Sequence, residues 1–113
     1  MEKLIVKEVT VVLTEQEAEL FKSVLTAEAA LRGLDEVLDG VKSHRYQTCR
    51  RMLSRFDDIS REIKFDIGDK HALLTLTTLF ILAANNSKGD YLREKLAIGL
   101  AQTFQDTHRE LGV

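Results

Sequence analysis

The residues best suited to binding or chemistry lie in a basic stretch near the middle of the chain. Residues 42–56 carry five basic side chains and no acidic one. Lysine and arginine neutralise phosphates, so such a stretch is suited to a nucleic acid or to an acidic protein surface. The candidate binding residues in this stretch are Lys42, His44, Arg45, Arg50, Arg51 and Arg55.

Helical geometry divides these basic residues. At about 100° per residue, His44, Arg51 and Arg55 flank one side of the apolar stripe of the helix, and Arg50 lies on the other side. The chain also contains an acidic segment that could pair with the basic stretch, because residues 1–41 carry nine acidic and four basic side chains. Two interpretations therefore stay open: a site for a polyanion or an acidic partner, and solvated ion pairs that stabilise the helix.

The histidines of this sequence lack the spacing that is typical of a metal site. His44, His71 and His108 are isolated, and none forms a pair that would place two ligands on one helical face. Asp66, Asp69 and His71 cluster in a connecting segment and have the side chains of a divalent-ion site. Helix capping explains Asp69 and solvation explains Asp66 without a metal. We expect neither a metal nor a cofactor.

Catalytic motifs do not stand out either. Cys49 is predicted to lie on an apolar helical stripe, as a buried and inert thiol. Asp57 and Asp58 diverge by about 100° on a helix, so they are a poor carboxylate pair for acid–base chemistry. The sequence has no P-loop, Gly-x-Ser-x-Gly or Gly-x-Gly-x-x-Gly motif. We expect a non-enzymatic protein, with a small enzyme assembled from distant residues as a remote alternative.

Length and composition predict one globular domain, residues 1–113, with 44% hydrophobic and 30% charged residues. The net charge of −2 favours neither a nucleic-acid nor a membrane partner, and the most apolar run, 72–84, is short for a membrane span.

The single cysteine excludes an internal disulfide and favours a reducing, cytoplasmic compartment. The absence of proline favours uninterrupted helices.

The N-terminal third predicts a strand and then a long helix. Residues 3–13 are rich in valine and isoleucine with a two-residue alternation, which is typical of a strand. Thr14 and Glu17 have the spacing of a capping box, and Gly40 is a suitable helix end. Within this helix the apolar residues repeat as a heptad seam: Leu20, Val24, Ala27, Leu31, Leu34, Leu38 and Val41.

A second helix is predicted over residues 43–62, followed by a short strand over 63–67. The strand is expected to pair with the first strand, or the first strand pairs across a dimer, because one strand cannot satisfy its own backbone. The apolar stripe of this helix, with two residues that widen it, is Tyr46, Cys49, Leu53, Phe56, Ile63, Met52 and Ile59.

Two further helices are predicted in the last third of the chain. Asp69 is the expected N-cap of the third helix, whose residues 72–84 are apolar nearly all round and therefore predicted to be buried on every side. Residues 74–77 alternate between leucine and threonine, so a strand stays open as the alternative for this segment. Ser87 and Asp90 have capping-box spacing before the last helix. The apolar stripe predicted for that helix is Leu92, Leu96, Leu100 and Phe104.

The sequence thus predicts a mainly α protein: four helices after an N-terminal strand, with the apolar third helix at the centre. So short a chain has difficulty covering this much apolar surface alone, which favours a homodimer or higher oligomer. The expected function is a protein–protein interaction or regulatory module whose basic helix docks an acidic partner surface. The alternative is a nucleic-acid-binding regulator that uses the 42–55 segment.

Overall fold

A computed structural model describes residues 7–39 and 44–112, and within residues 35–39 only the backbone. The chain is mainly helical, as predicted, and the segment after Asp69 is a helix and not a strand. A short 3₁₀ turn, Ile67–Asp69, precedes the third helix. The elements in chain order are β1 (Glu8–Val12), α1 (Glu15–Asp39), α2 (His44–Arg55), β2 (Glu62–Asp66), α3 (Lys70–Asn85) and α4 (Tyr91–Gly112).

Helix α1 begins at the predicted capping box. Glu17 N–H donates to Thr14 Oγ1 at 3.2 Å, and Thr14 N–H donates to Glu17 Oε1 at 2.9 Å. This reciprocal pair satisfies two backbone donors that the start of a helix leaves without a partner. The predicted capping box is confirmed, whereas the predicted helix end at Gly40 lies outside the described residues.

The two strands form an antiparallel two-stranded sheet within the chain. Val9 pairs with Phe65 and Val11 with Ile63, so the apolar side chains of both strands share one face. That face packs on the helices: Val11, Ile63 and Phe65 are buried. The predicted in-chain pairing is confirmed, and β2 begins one residue earlier than the predicted 63–67.

Helix α2 ends at Arg55, so the prediction that it continues to residue 62 is wrong. A turn replaces its last part, because Asp57 Oδ1 accepts N–H bonds from Ile59 and Ser60, at 2.9 and 3.2 Å. Those two backbone donors, Ser60 first, lower the pKa of Asp57. Arg61 closes the turn with a positive φ of 57°. Ile59, predicted on the apolar stripe, is consequently 95% exposed.

Three threonine hydroxyl groups of helix α3 find hydrogen-bond acceptors within the same helix. The hydroxyl groups of Thr75, Thr77 and Thr78 donate to the carbonyl oxygens four residues earlier. The 19-residue segment Ile67–Asn85, of mean hydropathy 1.3, is long and apolar enough to cross a membrane, and the core helix of a soluble protein passes the same test. This single segment is therefore weak evidence for a membrane span.

Helix α3 contacts each of the other three helices. Yet the prediction that it is buried on every side is wrong for one strip, since Leu74 and Ile81 are 49% exposed and Leu82 is 42% exposed. Asp69 precedes the helix as predicted, but its carboxylate makes no hydrogen bond to the N–H groups of α3.

The turn between α3 and α4 differs from the predicted capping box. The Ser87 hydroxyl donates backwards to the Ala83 carbonyl at 2.7 Å, and Asp90 Oδ1 instead accepts the Arg93 N–H at 3.1 Å. Gly89 takes a φ of +100°, which suits glycine. In the predicted stripe of α4, Leu100 and Phe104 are fully buried and Leu96 is partly buried, but Leu92 is 57% exposed.

An aromatic cluster forms the centre of the core. The ring of Phe21, from α1, lies 5.3 Å from Phe56, 6.1 Å from Phe80 and 5.9 Å from Phe104, measured between ring centroids. Phe104 also meets Phe65 of β2 at 6.0 Å. One buried ring thus joins α1, α3, α4 and the residue that follows α2, and Phe104 extends the cluster to the sheet.

The core-facing stripe of α1 is not the predicted heptad seam. Its buried residues are Ala18, Phe21, Leu25 and Ala29, which lie on another face of the helix. Of the seam, Leu20 is buried and Val24 is partly buried. Leu31 is 54% and Leu34 is 61% exposed, while Leu38 and Val41 lie outside the described side chains. The seam is covered only near its start, because both faces of the helix are apolar and the aromatic cluster takes one.

Two leucines of α1 give a matched test of this assignment. Leu25→Ala removes a fully buried side chain, and Leu34→Ala removes one that is 61% exposed. We expect Leu25→Ala to lower the free energy of unfolding by about 2–5 kcal/mol and Leu34→Ala by less than about 0.5 kcal/mol. Urea denaturation followed by circular dichroism measures both. The reverse order would show that the seam faces the core.

Candidate partner-binding groove

Helix α2 presents the candidate basic residues on two flanks, because Thr48, Cys49 and Met52 turn towards the core between them. On one flank, His44 and Arg55 reach the residues around the start of α3. On the other flank, Arg50 lines a hollow against α1. Lys42 lies outside the described residues. The candidates therefore do not form one continuous basic surface.

Arg55 forms hydrogen bonds that connect different elements of the fold. Its Nη1 donates to Asp69 Oδ2 at 2.7 Å and to the Lys64 carbonyl at 3.4 Å. The Asp69 side chain is only 7% exposed, so the guanidinium compensates the charge of a nearly buried carboxylate. The same carboxylate accepts the Asp66 N–H at 2.8 Å. Arg55 thus ties α2 to the junction between β2 and α3.

The two histidines nearest this junction meet across the helices. The ring centroids of His44 and His71 are 4.4 Å apart in an edge-to-face arrangement. His44 Nε2 also lies 3.4 Å from the Thr48 hydroxyl. Among the side chains that the structure describes, in residues 7–34 and 44–112, no three of His, Cys, Asp or Glu group closely enough to hold a metal ion. Asp69, a candidate ligand in the sequence, is occupied by Arg55.

The remaining candidates differ in their partners. Arg50 and Arg51 are exposed, and neither has an ion pair with any residue that the structure describes. Arg45 reaches across to the acidic first helix, where its Nη1 lies 3.7 Å from Glu28 Oε1. Arg32 Nε donates to the same Glu28 oxygen at 2.9 Å. Part of the predicted pairing between the basic stretch and the acidic helix is therefore present.

Arg45 and Glu28 stand at the edge of a groove between α1 and α3. The groove encloses about 330 Å³ and lies where the seam of α1 is no longer covered. Its apolar residues come from both helices: Val24, Ala27, Leu31, Leu79, Leu82 and Ala83. Its charged residues are Glu28, Arg32, Arg45 and Arg93, so α1, α2 and α4 each supply an arginine to it.

Sequence reasoning found part of this groove and missed the rest. The heptad seam contains the α1 side of it, and the basic stretch contains Arg45. Leu82 was predicted to be buried with the rest of its helix, and Arg93 carries no sequence signal that separates it from the other charges of α4. No spacing along the chain connects Leu31 with Leu82 or Arg45 with Arg93, because only the packing of the helices brings them together.

Cys49 lies in the core, and its predicted burial is confirmed, since the residue is fully buried. Burial raises the pKa of the Cys49 thiol to about 11, with the Glu28 carboxylate adding to the shift and the Arg45 guanidinium opposing it. The thiolate is the reactive form of cysteine, so both burial and the raised pKa make this residue inert.

We expect Cys49 in the native protein at pH 8 to react with a thiol reagent at least about a hundredfold more slowly than in the chain unfolded by guanidinium. The release of thionitrobenzoate from Ellman's reagent measures both rates, and the unfolded chain is the internal control. Native-state labelling at the rate of a free cysteine would contradict the assigned burial.

Comparison with known proteins gives no relative: no family model, no curated protein and no solved structure matches the chain. The groove between α1 and α3 is therefore interpreted from its own residues and geometry.

Proposed function

We propose that this chain is a non-enzymatic protein-interaction module that self-associates and binds an amphipathic partner helix with an acidic flank. One observation carries the proposal: the apolar seam of α1 leaves the core and continues as the floor of an open groove bordered by arginines. Leu31 of α1, at 54% exposure, and Leu82 of α3, at 42%, both line this groove without a covering element among the described residues.

A helix suits this groove better than an extended peptide. The floor from Val24 to Leu31 rises about 10 Å along α1, which is two turns of a helix. Grooves between two helices bind amphipathic helices through apolar residues at positions i, i+3 or i+4, and i+7. Backbone groups of α1 and α3 are already used within their own helices, so the groove offers an added strand no hydrogen-bonding edge.

The charges at the rim favour an acidic partner. Among the described residues that line the groove, arginines outnumber carboxylates, and the carboxylate of Glu28 already lies beside Arg45 and Arg32. The Arg93 guanidinium has no ion pair within the described part of the chain. Acidic side chains flanking the apolar stripe of a partner helix would meet Arg93 and compete for Arg45. Such rim charges increase association rate and specificity more than affinity.

The nucleic-acid alternative receives less support from the geometry. Arg55 is engaged with Asp69, and Arg45 lies near Glu28. The exposed Arg50 and Arg51 are consecutive residues of α2 that diverge by about 100° around its axis, and two arginines alone offer few phosphate contacts. Binding of duplex DNA that weakens steeply with salt, and that is lost when both residues are changed to Glu, would favour this alternative.

Selection from a displayed library of helical peptides tests the proposal. Each peptide carries apolar residues at i, i+3, i+4 and i+7, and its flanking positions vary among Glu, Lys and Gln. We expect the enriched peptides to be rich in Glu at those flanks. Leu31→Asp should weaken their binding at least about tenfold, because it places a charge on the apolar floor.

Ile59→Asp is the matched control, since Ile59 is 95% exposed in the turn after α2 and does not line the groove. It should bind the selected peptides as the unmodified chain does, by fluorescence anisotropy. Peptides that bind Leu31→Asp and the unmodified chain equally well, or a selection that enriches nothing, would overturn the proposed groove.

A further inference from the structure

The two edges of the sheet differ in their protection. On the outer edge of β2, the Glu62 carbonyl accepts the Asp57 N–H at 2.9 Å, and the Lys64 carbonyl accepts Arg55 Nη1 at 3.4 Å. The Asp66 N–H on the same edge donates to Asp69 Oδ2 at 2.8 Å. Side chains and the preceding turn thus occupy three of the six outward backbone groups of β2, one on each of its three outward-facing residues.

The outer edge of β1 has no such cover. Leu13 N–H donates to the Arg61 carbonyl at 2.9 Å. Because hydrogen-bonded pairs alternate along an antiparallel ladder, Val9 and Val11 also turn their backbone groups towards β2. The N–H and C=O groups of Glu8, Thr10 and Val12 therefore point away, and no hydrogen bond reaches them from the backbone or the side chains that the structure describes.

This edge also contains neither a bulge nor a proline, two of the features that prevent strands from associating. The ladder runs without a bulge from Glu8 to Val12, and the chain contains no proline. Its sequence, Glu-Val-Thr-Val-Val, is rich in β-branched residues, and Val12 is 63% exposed. Natural proteins protect exposed edges with bulges, proline or covering elements, and an edge without them is a template for another strand.

We infer that the β1 edge binds a second copy of this chain, as an antiparallel β1–β1 pair centred on Thr10. This inference rests on the self-association included in the proposed function and gives it an interface. Thr10 then faces Thr10 of the partner subunit, and the pairs between Glu8 and Val12 follow on either side. About six backbone hydrogen bonds form, and the two sheets become one four-stranded sheet with two-fold symmetry.

Charge selects this register and this occupant. Within the chain Glu8 already faces Asp66 across the ladder. A pairing of Glu8 with Glu8 of the partner subunit would place four carboxylates in one row, and like charges directly opposite are destabilising. Centring on Thr10 instead places the apolar Val12 opposite Glu8 of the partner subunit. This register uses all five residues of β1 in both copies, and every outward backbone group of β1 gains a partner.

Thr10→Pro is the decisive variant, because it removes an outward N–H and leaves the in-chain ladder intact. Sedimentation equilibrium over about 1–300 μM covers the weak affinities of small interfaces. We expect the unmodified chain to dimerise and Thr10→Pro to raise the dimer dissociation constant at least about tenfold. Thr10→Val, which keeps the N–H, should dimerise as before. A monomeric unmodified chain, or unchanged dimerisation of Thr10→Pro, would overturn the inference.

Two charge variants test the register without proline. Val12→Glu places a carboxylate opposite the partner subunit's Glu8 and should weaken the dimer, whereas Val12→Lys places an ammonium group there and should tighten it. The same direction of change in both variants would contradict the register.

Binding of the selected helical peptides separates this inference from the groove. Thr10→Pro should keep that binding, and Leu31→Asp should keep the dimer. Loss of the dimer in Leu31→Asp but not in Thr10→Pro would assign dimerisation to the groove and overturn the β1 interface. Failure of peptide selection with an intact, Thr10-dependent dimer would overturn the groove alone.

Discussion

The burial of the Phe21 ring is the constraint on which the rest of the structure depends. Its neighbours come from α3, α4 and the residue after α2, at 5.3 to 6.1 Å between ring centroids. Aromatic pairs of this kind each add about 1 kcal/mol beyond the area that they bury. Since Phe21 fixes which face of α1 turns inward, it also decides which apolar face stays outside. The open groove is thus a consequence of how the core is filled.

A second consequence concerns the basic residues of α2. The helix has to end at Arg55 so that Phe56 can enter the aromatic cluster and the chain can reverse into β2. Arg55 then lies beside Asp69 and the Lys64 carbonyl, where it covers part of the outer edge of β2. One sheet edge is partly covered by such contacts, and the described residues leave the other edge open. The two surfaces proposed for partners, the groove and the β1 edge, are therefore among the parts of the fold that the core leaves without cover.

Local signals were predictable and nonlocal ones were not. The Thr14–Glu17 capping box, the in-chain pairing of β1 with β2 and the burial of Cys49 follow from residues close in sequence or from simple alternation. The end of α2 is not predictable from spacing, because apolar residues continue at helical intervals through Ile59. The hydrogen bonds that Asp57 accepts from Ile59 and Ser60 stabilise a turn there. Of the candidate site, Arg45 and the seam were found, and Leu82 and Arg93 were not.

The sequence by itself determined the number and type of the elements, because helix caps, strand alternation and the absence of proline act within a few residues. It also determined that apolar surface exceeds what so short a chain covers easily. Only the tertiary structure decided which apolar face of α1 is buried, since Leu25 and Leu31 have the same side chain and lie on one helix. That choice depends on rings contributed by distant residues, and contacts between distant residues leave no periodicity along the chain.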